Sequence, residues 1–141
     1  MKKVAIGCDH AGFELKEKIV EQLKAMDVDV QDIGTNNSES VDYPDFAHSV
    51  AKLVNDGKTD LGILICGSGN GVNMAANKHA NVRSALSWNP EIAELARTHN
   101  NANVLALPAR FISKETAKEI VEKFLTTEFE GGRHERRVQK I

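Results

Sequence analysis

The 141-residue sequence lacks several features that mark particular classes of protein. No apolar run approaches the ~20 residues that span a bilayer, and a net charge of −2 offers no basic surface for general nucleic-acid binding. We therefore expect neither a membrane nor a nucleic-acid partner. The first residues, MKKVAIGCDH, predict a strand and not a signal peptide. The only two cysteines, Cys8 and Cys66, are therefore expected to be free thiols in a cytoplasmic protein.

Motifs for metal and nucleotide binding are also missing. The five histidines, at positions 10, 48, 79, 99 and 134, show no HxxxH or HExxH spacing, so no metal site and no cofactor are predicted. His48 and His79 are interpreted as surface residues. The glycine-rich segment 67–71 is followed by Val72, which breaks the dinucleotide-binding fingerprint, and no Gly-Lys-Ser/Thr follows as in a P-loop. A nucleotide-binding module is therefore disfavoured.

The sequence does contain a regular alternation of strand-like and helix-like segments. Apolar runs predict strands at 4–6, 28–33, 61–65, 82–86 and 104–107. Helical spacing of apolar residues follows Phe13, and helix starts are marked at Pro44, Asn89–Pro90 and Ser113. No repeat, low-complexity segment or linker interrupts the alternation. It predicts one α/β domain over 1–141, with a three-layer, Rossmann-like five-stranded parallel sheet and helices on both faces.

One stretch, LGILICGSGNGVNMAANK at 61–78, combines a strand, a glycine-rich turn and the start of a helix. Such a turn points backbone N–H groups into one concavity. Cys66 stands at its first position, a setting that favours the thiolate. The pattern indicates an anionic oxygen held beside a base or nucleophile. The alternative is a tight connection in which the glycines serve only the path of the chain and Cys66 is a small buried residue. Cys8, without such a turn, is predicted to lie in the core.

Other polar residues also follow strands. Ligands of parallel sheets bind beyond the carboxyl ends of the strands. Asp9, His10, the 66–71 turn and Arg110 are therefore predicted to share one edge of the sheet. His99 and Asn100 instead end a helix, which places them at the opposite edge of their own subunit, where His99 could also be a simple helix cap.

A basic run lies near the C-terminal end of the sequence. Arg133 and Arg137 are one helical turn apart and follow two glycines that permit a sharp turn. Paired guanidinium groups suit a phosphate. The alternative is a solvated tail.

Together these segments resemble the ribose-5-phosphate isomerase type B family, within the group that includes galactose-6-phosphate isomerase. The matching segments keep near-constant spacing along the chain: GCDHAGFELK at 7–16, DYP at 42–44, GILICGSGNGVNMAANK at 62–78, RTHNNANVLALPAR at 97–110 and EGGRHERRV at 130–138. The resemblance implies interconversion of D-ribose 5-phosphate and D-ribulose 5-phosphate through an enediolate, in the pentose phosphate pathway and without a cofactor.

The resemblance also implies a role for each matched residue. Cys66 matches the base that moves a proton between C1 and C2, and His99 matches the group that helps to open the furanose ring. Ser68 is a third catalytic candidate, able to relay a proton between the two substrate oxygens. The implied substrate-binding residues are Asp9, His10, Tyr43, Gly67, Ser68, Gly69, Asn70, Gly71, Asn100, Arg110, Arg133 and Arg137.

Two positions depart from the family pattern. Ser68 stands where many members have threonine, and the hydroxyl is kept. Leu107–Ala109 precedes Arg110 where glycine is common, which could reposition that arginine. The resemblance further implies a homodimer with shared active sites, in which the partner supplies His99, Asn100 and Arg110; a dimer of dimers is left open.

Two other functions are left open by the sequence. The first is isomerisation of a hexose 6-phosphate, allose or galactose, because the distance from the bound phosphate to Cys66 sets the substrate length and the sequence does not give it. The second is a sugar-phosphate sensor that kept the pocket and lost the chemistry. The presence of both Cys66 and His99 weighs against a sensor, which needs neither.

Overall fold

A computed structural model describes all 141 residues, and it contains one five-stranded parallel sheet. The strands lie in the order β2-β1-β3-β5-β4, and each neighbouring pair is parallel. Their bounds are β1 Lys3–Cys8, β2 Asp29–Gly34, β3 Leu61–Cys66, β4 Ser84–Leu86 and β5 Val104–Pro108. The helices are α1 Phe13–Ala25, α2 Tyr43–Asn55, α3 Asn70–Ala76, α4 Pro90–Thr98, α5 Lys114–Thr126 and α6 Arg133–Val138. No helix is long and apolar enough to cross a membrane.

Helices cover both faces of the sheet, as predicted. Alternate residues of β1, β3 and β5 pack with α1, α4 and α5 in a cluster of 19 buried residues. The opposite side of the same strands packs with α2 and α3 in a second cluster of 12. The central strand β3 is buried along all six residues, which explains its continuous apolar sequence.

The edge strand β4 is shorter than the predicted 82–86. The N–H of Arg83 donates to the side-chain oxygen of Asn103 at 2.7 Å instead of joining the regular ladder. On the outer side of β4, the Asn77 side chain accepts from the N–H of Ser84 at 2.8 Å and donates to its carbonyl at 3.0 Å. These side-chain bonds satisfy backbone groups that an edge strand otherwise leaves open.

Candidate active site

The turn after β3 wraps around the sulfur of Cys66. The N–H of Gly69 donates to Cys66 Sγ at 3.2 Å, and the N–H of Asn70 donates to Ser68 Oγ at 3.3 Å. Gly69 has φ of 77°, and a Cβ there would stand 2.5 Å from the Leu86 side chain. Only glycine satisfies both conditions. The glycine pattern therefore serves both the path of the chain and the placing of a donor against the thiol.

An open pocket of about 450 Å³ lies over this turn, at the carboxyl edge of the sheet. Its walls come from the ends of three strands and the starts of two helices: Asp9, Tyr43, Cys66, Gly67, Ser68, Gly71, Arg110 and Phe111. Seven of these eight were predicted site residues. The eighth, Phe111, is 75% exposed at the rim. It was missed because a lone aromatic residue after a strand carries no motif.

Arg110 enters the pocket from the same chain as Cys66. Its N–H donates to the Gly67 carbonyl at 3.0 Å, and its Nη1 lies 3.1 Å from the point where a Gly67 Cβ would stand. The expectation that a partner supplies Arg110 is therefore wrong. The physical reason is strand order, because β5 lies directly beside β3, with Pro108 opposite Cys66. Pro108 and Ala109 do not move Arg110 out of the pocket.

Asp9 and His10 follow β1 and differ in their surroundings. The Asp9 carboxylate is 8% exposed and lines the pocket. One of its oxygens accepts from the N–H groups of Ala11 at 3.0 Å and Gly12 at 3.2 Å. His10 is half-buried, and its Nδ1 accepts from the N–H of Val41 at 3.3 Å. It is not among the residues that line the pocket, so it stands beside the pocket and not in it.

Tyr43 covers the start of α3. A Cβ on Gly71 would lie 2.4 Å from Tyr43 Cε1, so the ring rests directly on the glycine backbone. Tyr43 is the first residue of α2 and remains 41% exposed. Tyr43 thereby forms part of the pocket wall.

The remaining predicted residues form a second group at the end of α4. The His99 ring stacks on His134 of α6, with centroids 4.3 Å apart and planes inclined by 15°. The N–H of Glu130 donates to the Thr98 carbonyl at 3.2 Å, and this contact docks the C-terminal segment beside α4. We call His99, Asn100, Arg133 and Arg137 the helix-end group. Arg133 and Arg137 are exposed on α6, as is Asn100 at the end of α4.

The basic segment is thus a docked helix and not a loose tail. Burial, followed by the nearby His99 and Arg133, lowers the pKa of His134. His99, Glu130 and His134 offer ligand atoms within 4.8 Å of one another. However, the in-plane lone pairs of two nearly parallel rings run side by side and do not meet at one point, which suits tetrahedral metal coordination poorly.

Both cysteines are buried free thiols, and Cys8 lies in the core as predicted. Cys8 is fully buried in the core with Sγ 3.9 Å from the Thr35 carbonyl. Burial raises the pKa of its thiol to about 12. Cys66 lies at the pocket. His48 and His79 lie at the surface, as predicted, and their rings are joined by a hydrogen bond of 2.8 Å between Nδ1 of His48 and Nε2 of His79.

Comparison with known proteins places this arrangement in one family. The profile of the Ribose/Galactose Isomerase family matches residues 4–141. Ribose-5-phosphate isomerase B of Escherichia coli K12 is 50% identical over 141 residues, which cover 100% of this chain and 95% of that protein. The crystal structure of a ribose 5-phosphate isomerase from Thermotoga maritima superposes with a TM-score of 0.96 at 51% identity, covering 99% of this chain and 96% of the other.

A third relative was solved with a sugar phosphate in place. Ribose-5-phosphate isomerase B from Mycoplasma genitalium, with bound ribulose-5-phosphate, has a TM-score of 0.95 and 48% identity over 98% of this chain and 92% of that one. The chain belongs to the Ribose/Galactose Isomerase family.

Proposed function

We propose that this chain is an aldose–ketose isomerase that interconverts D-ribose 5-phosphate and D-ribulose 5-phosphate, as a cytoplasmic enzyme of the pentose phosphate pathway. The observation that carries the proposal is the Cys66 sulfur at the pocket, held by the N–H of Gly69 at 3.2 Å. It is supported by the relatives, which are named for this reaction at about half identity over nearly the whole chain.

The chemistry requires a base and donors for a developing oxyanion. Cys66 as thiolate takes the C2 proton of the open-chain aldose and returns it to C1. The hydroxyl proton on O2 moves to O1 through Ser68 Oγ, so that the aldehyde becomes an alcohol and the C2 alcohol becomes a ketone. N–H groups of the 67–71 turn donate to the enediolate oxygens. The N–H of Gly69, 3.2 Å from Cys66 Sγ, holds the sulfur in place at the pocket.

Ribose 5-phosphate is mostly a closed furanose, so a proton must first move between O1 and the ring oxygen. His99 is the group for this step in the proposal. The end of α4 lies at the edge of the sheet opposite to Cys66, and this supports a partner subunit as the source of His99. We therefore propose a homodimer in which the helix-end group of one subunit closes the pocket of the other. Arg133 and Arg137 then bind the phosphate together with His10 and Arg110.

Mixing inactive variants tests the shared site. In a hybrid of Cys66→Ala and His99→Ala, one site carries both lesions and the other carries none. About half of randomly reassorted dimers are hybrids, so roughly a quarter of native activity should return. A matched control pairs Cys66→Ala with Arg110→Ala. Cys66 and Arg110 line the same pocket of one chain. Every site in such a hybrid therefore carries one lesion, and no activity should return. No recovery in the first mixture after verified subunit exchange would contradict the shared site.

The substrate is tested by comparing kcat/KM for ribose 5-phosphate, allose 6-phosphate and galactose 6-phosphate. The proposal expects ribose 5-phosphate to be preferred. A clear preference for either hexose phosphate would reassign the enzyme within its family. Tight binding of all three without turnover would identify a sensor.

A further inference from the structure

The hydrogen bond at His10 Nδ1 has an unusual direction for a histidine beside a catalytic pocket. Its Nδ1 accepts a hydrogen bond from the backbone N–H of Val41 at 3.3 Å. Histidines that act as bases or metal ligands more often donate Nδ1–H to a carbonyl or carboxylate, which leaves the Nε2 lone pair free. Here the lone pair on Nδ1 is already used. The neutral ring must then carry its proton on Nε2.

The neighbouring carboxylate, Asp9, does not accept a hydrogen bond from His10 Nδ1. Asp9 precedes His10, but the oxygen of Asp9 that makes hydrogen bonds accepts from the backbone of Ala11 and Gly12. Nothing in the structure draws the His10 proton to Nδ1. Val41 is the only hydrogen-bond partner that the ring has.

The segment that carries Val41 is firmly held where it leaves β2. Asp32 accepts from the ammonium of Lys16 with both oxygens, at 2.9 and 2.8 Å, and from the N–H of Gly34 at 3.0 Å. Lys16 is fully buried. Although burial opposes it, the Asp32 carboxylate holds the pKa of Lys16 above its ordinary value. Next along the segment, the N–H of Thr35 donates to the Cys8 carbonyl at 3.0 Å.

The other end of the segment is held by α2. Asp42, the residue before α2, has an extended backbone, and Tyr43 at the start of the helix rests on Gly71 in the pocket. Residues 34–42 therefore connect the Lys16–Asp32 ion pair to Tyr43 in the pocket wall. His10 accepts its hydrogen bond from this segment at Val41, two residues before Tyr43. One connection positions both His10 and Tyr43.

We propose that the N–H of Val41 fixes the tautomer of His10, making His10 a neutral hydrogen-bond donor to an anionic oxygen of the substrate through Nε2–H and not a base. Val41 is a positioning residue, and the Lys16–Asp32 pair holds the segment that places it. The proposal rests on the proposed function for the identity of the ligand, a sugar phosphate. The tautomer itself is a property of the ligand-free protein.

Two isosteric substitutions of His10 test which nitrogen donates. The terminal amide of glutamine reaches the place of Nε2, whereas that of asparagine reaches only the place of Nδ1. We expect His10→Gln to raise KM for ribose 5-phosphate by less than about threefold and His10→Asn by about tenfold or more, with kcat little changed in both. Equal losses, or better binding by His10→Asn, would overturn the proposal.

The tautomer can be observed directly by two-bond ¹H–¹⁵N spectra of the ligand-free protein at about pH 8, where histidine is neutral. His10, assigned with His10→Gln, should show protonated Nε2 and hydrogen-bonded, unprotonated Nδ1. Val41→Pro removes the donor and should shift the Nδ1 resonance of His10 and raise KM. Val41→Ala keeps the N–H and should change neither.

A protonated Nδ1 in the native protein, or an Nδ1 resonance unchanged by Val41→Pro, would refute the tautomer lock. Because these spectra need no turnover, a failure here is distinct from a failure of the proposed isomerase activity. The His10 isosteres also leave the backbone of residue 41 intact, so they decide the matter even if Val41→Pro does not fold.

Discussion

Replacing Gly71 by alanine would perturb the pocket through Tyr43. The added Cβ would stand 2.4, 2.6 and 3.0 Å from Cε1, Cζ and Cδ1 of the tyrosine ring. Carbon atoms prefer ~3.5–4.0 Å, so the ring must move by at least about 1 Å. Tyr43 is 41% exposed and has room to turn outward. Alanine is also a better helix residue than glycine by ~1 kcal/mol. We therefore expect the free energy of unfolding to change by less than about 1 kcal/mol.

Gly71→Ala should lower the activity although it leaves the fold intact. A displacement of ~1 Å in a substrate-positioning group can cost ~10²-fold in rate, so Gly71→Ala should lower kcat/KM for ribose 5-phosphate by about 10- to 100-fold. The assay is a double-mutant cycle with Tyr43→Ala, accompanied by urea unfolding of each variant. Once the ring is absent, Gly71→Ala should cost less than about threefold. An equal cost in both backgrounds would refute the steric argument.

Two further predictions concern the thiols and acid stability. Iodoacetamide near neutral pH should inactivate the protein through Cys66 and spare Cys8, whose buried thiol has a pKa raised to about 12, with substrate giving protection; inactivation by modification of Cys8 would contradict this. Because burial, His99 and Arg133 lower the pKa of His134, the unfolded chain binds its proton more readily. The stability contributed by neutral His134 is present above its ordinary pKa and is lost as pH falls through the lowered value. His134→Phe, which keeps a ring on His99, should flatten the pH dependence of the free energy of unfolding as the pH falls below about 6.5; an unchanged slope would contradict this reasoning.

The sheet could be predicted because each strand is marked by a short run of apolar residues in the sequence. β3 is an unbroken apolar run because both of its faces are covered. The residues after β1, β3 and β5 share an edge for reasons of topology alone, and the structure places Arg110 there. The position of Arg110 after β5 in the sequence therefore predicted its place correctly, whereas the implied partner origin did not hold.

Features that depend on distant pairs could not be predicted. Lys16 looks like a surface residue of α1, but its ammonium is buried because it meets Asp32 of β2. His48 and His79 are 31 positions apart, and only the packing of α2 against the end of α3 brings Nδ1 of His48 within 2.8 Å of Nε2 of His79. Helical spacing in the basic run was visible in the sequence, but the stack of His134 on His99 was not.

In the proposed mechanism, the Cys66 thiolate moves the proton between C2 and C1. This step is tested most directly by following exchange of the C2 hydrogen of ribose 5-phosphate with solvent deuterium in the native protein, Cys66→Ser and Cys66→Ala, with binding of the sugar phosphate measured in parallel. We predict that both variants bind with near-native affinity and exchange at least about 10²-fold more slowly. Exchange at a near-native rate in Cys66→Ala would show that another group is the base.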